Sequence, residues 1–117
     1  MSELRETNVW KPRRIEYCDL DVLWNQHPIE HFKRFFPKYK LIAVKGPSYS
    51  YSQIDSLLNS PEWQLEFGRS LIIECEHKDW EQKILDIVAD TSEKWLIMIN
   101  DTYTEFKRFR NYIQSLE

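Results

Sequence analysis

Lys40-Leu41-Ile42-Ala43-Val44-Lys45 is followed at once by Gly46-Pro47-Ser48. Leu41 to Val44 are apolar without a break, so as a strand this stretch has no face suited to water. Such a strand belongs in the middle of a covered sheet, with helices on one or both of its faces. Gly46 and Pro47 then end the run, because neither continues a regular ladder readily.

Working outward, three more runs of this kind appear, at residues 14–18, 70–75 and 94–99. Helix-like segments separate them. Pro28 suits a first helical position, where its missing N–H has no intrahelical partner anyway, and Ile29, Phe32 and Phe36 then share a face up to Pro37. Ser50 with Gln53 has the spacing of a capping box, ahead of a stripe at Ile54, Leu57 and Leu58. Ser60-Pro61-Glu62 restarts a helix that places Trp63 and Phe67 one turn apart and stops at Gly68. Trp80, Ile84, Ile87 and Val88 repeat at i, i+4, i+7 and i+8 within a helix expected over 79–89. Thr102 and Glu105 match a second capping box, opening a last helix with Tyr103, Phe106, Phe109, Ile113 and Leu116 on its buried face. Residues 19–26 read equally as helix or loop.

Strands alternating with helices imply parallel pairing and crossovers of one hand. The expectation is therefore a single α/β domain over residues 1–117, with about four mostly parallel strands in βα units. Residues 1–12 are expected to be an irregular N-terminal segment. Strand order is not legible at this level.

The chain has 117 residues, 42% hydrophobic and 15% aromatic, which suffices for a packed core. It has two Gly and two Cys. These counts exclude Gly-rich phosphate loops, a disulfide scaffold and a four-thiolate zinc site. No apolar run reaches the length of a membrane span, and the charged N-terminus lacks the apolar stretch of a secretory signal. With both thiols in apolar surroundings, the expected location is the cytoplasm.

Net charge is −3, divided unevenly along the chain. Residues 1–50 carry nine Lys+Arg and six Asp+Glu, a net of +3, and residues 51–117 carry seven and thirteen, a net of −6. Within 62–93, nine acids face only Arg69, Lys78 and Lys83. Such a segment repels nucleic acid and attracts a basic partner.

Several patterns in the chain could carry chemistry. His27-Pro28-Ile29-Glu30-His31 matches the H-x-x-E-H spacing of an inverted zinc metallopeptidase. Pro28 opposes it by holding His27 at or before the helix start, off the face that His31 occupies. In parallel sheets ligands sit beyond the carboxyl ends of the strands. Those ends carry Asp19 and Asp21, then Lys45, then Glu74 and Glu76, then Asn100 and Asp101. Carboxylates from several ends can hold Mg²⁺, with a lysine beside them to steady a phosphate, which would suit phosphoryl transfer or phosphodiester cleavage. Ordinary strand ends running into polar loops explain the same residues. Cys75 with His77 is a thiol–imidazole pair by spacing alone. Basic residues lie among aromatics near Trp10, Phe35 and Phe106, but helical stripes claim many of those rings for the core, and a pI near 5.6 disfavours nucleic acid.

Gly46-Pro47-Ser48-Tyr49-Ser50-Tyr51-Ser52 mixes Tyr with Ser, as contact loops do. The sequence thus points to a non-enzymatic protein-binding module, most concretely a small acidic inhibitor or immunity-type protein for a basic, nuclease-like partner. Its expected contact residues are Tyr49, Tyr51, Trp63, Glu74, Glu76, Asp79 and Glu81. No catalytic residue, metal or cofactor is expected, and no membrane. A metal-dependent enzyme at the strand ends and a structural subunit of a larger complex are the alternatives.

Overall fold

In the computed structural model, which describes residues 13–26, 29–76, 78–100 and 102–115, four strands form one sheet. The chain runs β1 (Ile15–Asp19), α1 (Leu20–Gln26), α2 (Ile29–Phe35), β2 (Lys40–Lys45), α3 (Tyr51–Leu58) and α4 (Pro61–Phe67). It continues through β3 (Leu71–Glu74), α5 (Trp80–Asp90), β4 (Trp95–Ile99) and α6 (Thr104–Ser115). All neighbouring strands are parallel, in the order β1-β4-β2-β3. The α/β class, the alternation and the parallel pairing agree with the sequence reading.

The order follows from a constant crossover hand. From β1 to β2 and from β2 to β3 the chain advances in one direction across the sheet. Helices α1 to α4 accordingly share one face, where Leu20, Leu23, Phe32, Ile54, Leu58, Trp63 and Phe67 bury against Leu41, Ala43, Leu96 and Met98. From β3 to β4 the chain runs back, so α5 must lie on the other face, and α6 joins it. There Trp80, Ile84, Val88, Phe106, Phe109 and Ile113 bury against Ile42, Val44, Ile97 and Ile99. Odd and even positions of β2 divide between the two cores, as a pleated strand requires.

The ladder places β4 and β2 at the centre, and β4 is buried at every position. β3 is an edge strand despite its apolar sequence, and Leu71 is 42% exposed. The 19–26 region is resolved in favour of helix: Leu20 and Leu23 are fully buried. The Asp19 carboxylate accepts from the Asp21 N–H at 2.8 Å, satisfying one of the free donors of α1. The capping box at Ser50 and Gln53 forms in both directions. The expected box at Thr102 does not start α6. The Lys107 N–H bonds to the Tyr103 carbonyl at 3.0 Å, so Tyr103 is the cap residue, and the Thr102 N–H donates instead to Asn100 Oδ1 at 2.9 Å. Leu116, expected on the buried stripe, lies outside the described residues.

The charge division along the chain does not survive as two faces. Lys33 pairs with Glu66 at 3.5 Å and Lys40 with Glu93 at 3.2 Å, so bases of the first half meet acids of the second. Arg13 and Arg14 are also engaged, through guanidinium hydrogen bonds to the carbonyls of Gln114, and of Thr91 and Glu93, respectively. No helix among the described residues is long and apolar enough to cross a membrane.

Candidate functional site at the carboxyl edge

Read across the sheet from β1 to β3, the connections leaving the carboxyl ends turn alternately to the two faces: α1 to the first, α6 to the second, α3 to the first, α5 to the second. Chains that part in this way leave crevices between neighbouring strand ends, the usual ligand position in open α/β sheets. The topology brings Asp19 and Asp21, Asn100 and Tyr103, Lys45 to Tyr51, and Glu74 to Asp79 to this one edge.

The loop after β2 is tied down. The Tyr49 hydroxyl donates to the Asp21 carboxylate, and Ser48 Oγ lies 3.1 Å from the Tyr103 hydroxyl. Because β4 stands between β1 and β2, the Tyr49 contact carries this loop across the end of β4. Burial pushes the Tyr49 phenol above its ordinary value, and the neighbouring Asp21, Asp19 and Tyr103 add to the shift. Gly46 is closely packed: a Cβ there would meet the Tyr103 ring at 3.0 Å, and the ring would have to give by a few tenths of an ångström.

Two buried polar residues lie beneath the loop. Lys45 is 7% exposed and Asn100 is 3% exposed. The register pairs Val44 with Ile99, so Lys45 and Asn100 are the next neighbours along β2 and β4. On the other side Lys45 pairs with Glu74. Cys75 follows, with its thiol pushed up by burial, pulled down by Lys45, and pushed up again by Glu76 and Glu105. Glu105 of α6 thus bears electrostatically on this thiol, although its place in the sequence suggests only a helix cap.

Of the expected contact residues, Tyr51 is 48% exposed at the start of α3, and Glu76 and Asp79 are exposed between β3 and α5. Glu74 is half-buried. Glu81 is half-buried on α5, where it pairs with Arg108 of α6 at 3.4 Å. Tyr49 is half-buried and turned toward Asp21 rather than outward. Trp63 corrects the expectation. It is 3% exposed, with its ring 5.3 Å from Phe67 and 5.7 Å from Phe32, so it is a core residue with no surface for a partner. Helical spacing with Phe67 already puts it on the inner face of α4.

The shared carboxylate site does not assemble among the described residues. The strand order puts β1 and β3 on opposite edges, three strand spacings or roughly 14 Å apart, so Asp19 and Asp21 cannot meet Glu74 and Glu76 on one ion. No group of three or more His, Cys, Asp or Glu among the described residues is placed to hold a metal. His27, Pro28, His77 and Asp101 lie outside those residues, and with them the H-x-x-E-H pattern, the Cys75–His77 pair and one strand-end carboxylate. Trp10, beside the first basic group, does so too.

A second concavity, of about 380 Å³, lies between α5 and α6, lined by Glu81, Leu85, Arg108, Phe109 and Tyr112. It is open to solvent, and Glu81 and Arg108 in its lining pair with each other at 3.4 Å. No protein-family model matches the chain, and neither a curated protein nor a solved structure matches it.

Proposed function

We propose that the protein is a binding module for a protein with a basic surface, and that the carboxyl edge around β3 is its contact surface. The observation that supports this reading is the exposed acidic turn after β3, where Glu76 and Asp79 both face solvent. Glu76, and Glu105 of α6, also push the Cys75 thiol up, against the pull of Lys45. Among the described residues neither has a cation within 4 Å, and the adjacent Asp79 is held only by Lys83, one turn along its own helix, at 3.9 Å. Exposed acids on one turn raise the local negative potential and favour a cationic partner. Tyr51, exposed at the neighbouring strand end, supplies the aromatic contact that interface centres favour.

The most concrete version is an inhibitor or immunity-type protein occupying the basic cleft of a nuclease-like partner, acting in the cytoplasm. Its acids would stand where phosphates otherwise bind, with no chemistry required of the module itself. The test is capture of the partner from native lysate by wild type and by a variant with Glu74, Glu76, Asp79 and Glu81 each changed to Lys. A basic partner held at low salt, released at high salt and lost in the folded variant supports the reading. Equal retention of that partner by the variant overturns it.

A further inference from the structure

Lys45 is out of keeping with its surroundings. Its side chain closes a strand whose other inward positions are apolar, and it is more than nine-tenths buried. Taking an ammonium out of water costs several kcal/mol unless a counter-charge and hydrogen bonds replace the water. Among the described residues no carboxylate comes within the 4 Å of an ion pair, and the one acceptor of its Nζ is the Gly46 carbonyl at 3.5 Å, the long limit of a hydrogen bond. Glu74, its register neighbour, does not reach it. The contact with Gly46 places the ammonium at the strand's carboxyl end rather than over the sheet.

Asn100 supplies the second half. It is next in register on β4, and it too is buried. Its Oδ1 accepts from the Thr102 N–H at 2.9 Å, which fixes the amide orientation and leaves Nδ2 as a donor. Two buried residues that carry donors, one of them cationic, therefore stand on neighbouring strands whose backbones lie about 5 Å apart. They lie where connections part to opposite faces, the position at which such sheets receive ligands.

From this we infer that Lys45 and Asn100 form an oxyanion-binding site, which takes the phosphate or carboxylate group of a small ligand beneath the Gly46–Ser50 loop. Lys45 Nζ would provide the charge and Asn100 Nδ2 the orienting hydrogen bond. This site demands a ligand of opposite sign to the one the acidic rim attracts, so each reading can fail without the other.

The experiment is thermal unfolding of the whole chain in inorganic phosphate, in acetate and in sodium chloride at matched ionic strength. For a site with a Kd of about 10 mM, phosphate at about 50 mM should raise the Tm of wild type by about 3–6 °C above the chloride value. A rise with acetate but not phosphate would also support the site and assign it to a carboxylate. Lys45→Met keeps the length and apolar stem and should abolish the rise. Asn100→Asp, which places a carboxylate beside Lys45, should abolish it too and decides the matter if Lys45→Met does not fold. No rise with either anion, or an equal rise in wild type and a folded variant, overturns the inference.

Discussion

The Tyr49 hydroxyl donates to Asp21 across the end of β4, joining the connection after β2 to the connection after β1. A loop whose composition suggests a mobile contact surface is thereby anchored at one tyrosine and open at the next. The loop leaves β2 directly after Lys45, so that anchor borders whatever the edge binds.

Tyr49→Phe should lower stability by about 1–2 kcal/mol, since it removes a hydrogen bond to a charged group at a half-exposed position. The pH dependence has a definite sign. The folded-state phenol is raised above its ordinary value, so its contribution is complete below about pH 10 and is lost as pH rises toward the folded value. Urea midpoints taken from about pH 9 to 11 should therefore fall more steeply for wild type than for Tyr49→Phe. Parallel profiles would contradict the assignment.

Trp63→Ala should destabilise the chain by about 3–5 kcal/mol, because the ring is enclosed by Phe32 and Phe67 and its removal leaves a cavity. Chemical denaturation measures this directly. A surface role for Trp63 would instead give a change below about 0.5 kcal/mol.

The two thiols should differ from those of an unfolded chain, and Cys18 most of all. Burial, with the adjacent Asp19 adding to it, pushes the Cys18 thiol up to about 12. At about pH 8 only on the order of one molecule in ten thousand then carries the thiolate that reacts. In a chromogenic disulfide assay, Cys18 should stay unmodified in buffer and react promptly in denaturant. Prompt reaction of Cys18 in the native protein would place it outside the core.

The Glu81–Arg108 pair joins α5 to α6, yet the Arg108 side chain is 73% exposed. Solvent screening and side-chain entropy limit such pairs, so a double-mutant cycle with Glu81→Gln and Arg108→Gln should give a coupling of under about 1 kcal/mol. Any larger value would mean that the pair, and not the Trp80–Phe106 and Trp80–Phe109 ring contacts, fastens the two helices.

Much of this architecture is legible in the chain because it depends on neighbours in sequence. Leu41 to Val44 announce a covered central strand, and the Ser50–Gln53 box and the Trp80-to-Val88 stripe announce helices. Each signal acts within a few residues, through side-chain period or a local hydrogen bond. Edge effects are the exception: Leu71-Ile72-Ile73 reads as a central strand, yet pairs on one side only. The start of α6 also departs from its local signal, since Asn100, held at the end of β4, takes the Thr102 N–H that a cap would have used.

Composition and periodicity by themselves determined an α/β chain with about four mostly parallel strands; that helices cover both faces comes from the structure. Only the tertiary structure decided which strand ends are neighbours. The order β1-β4-β2-β3 separates Asp19 and Asp21 from Glu74 and Glu76 and sets Lys45 beside Asn100. The physical reason is that backbone ladders pair any parallel strands alike. The order is settled by crossover hand and by which helices can cover which apolar face, and those are properties of the whole chain.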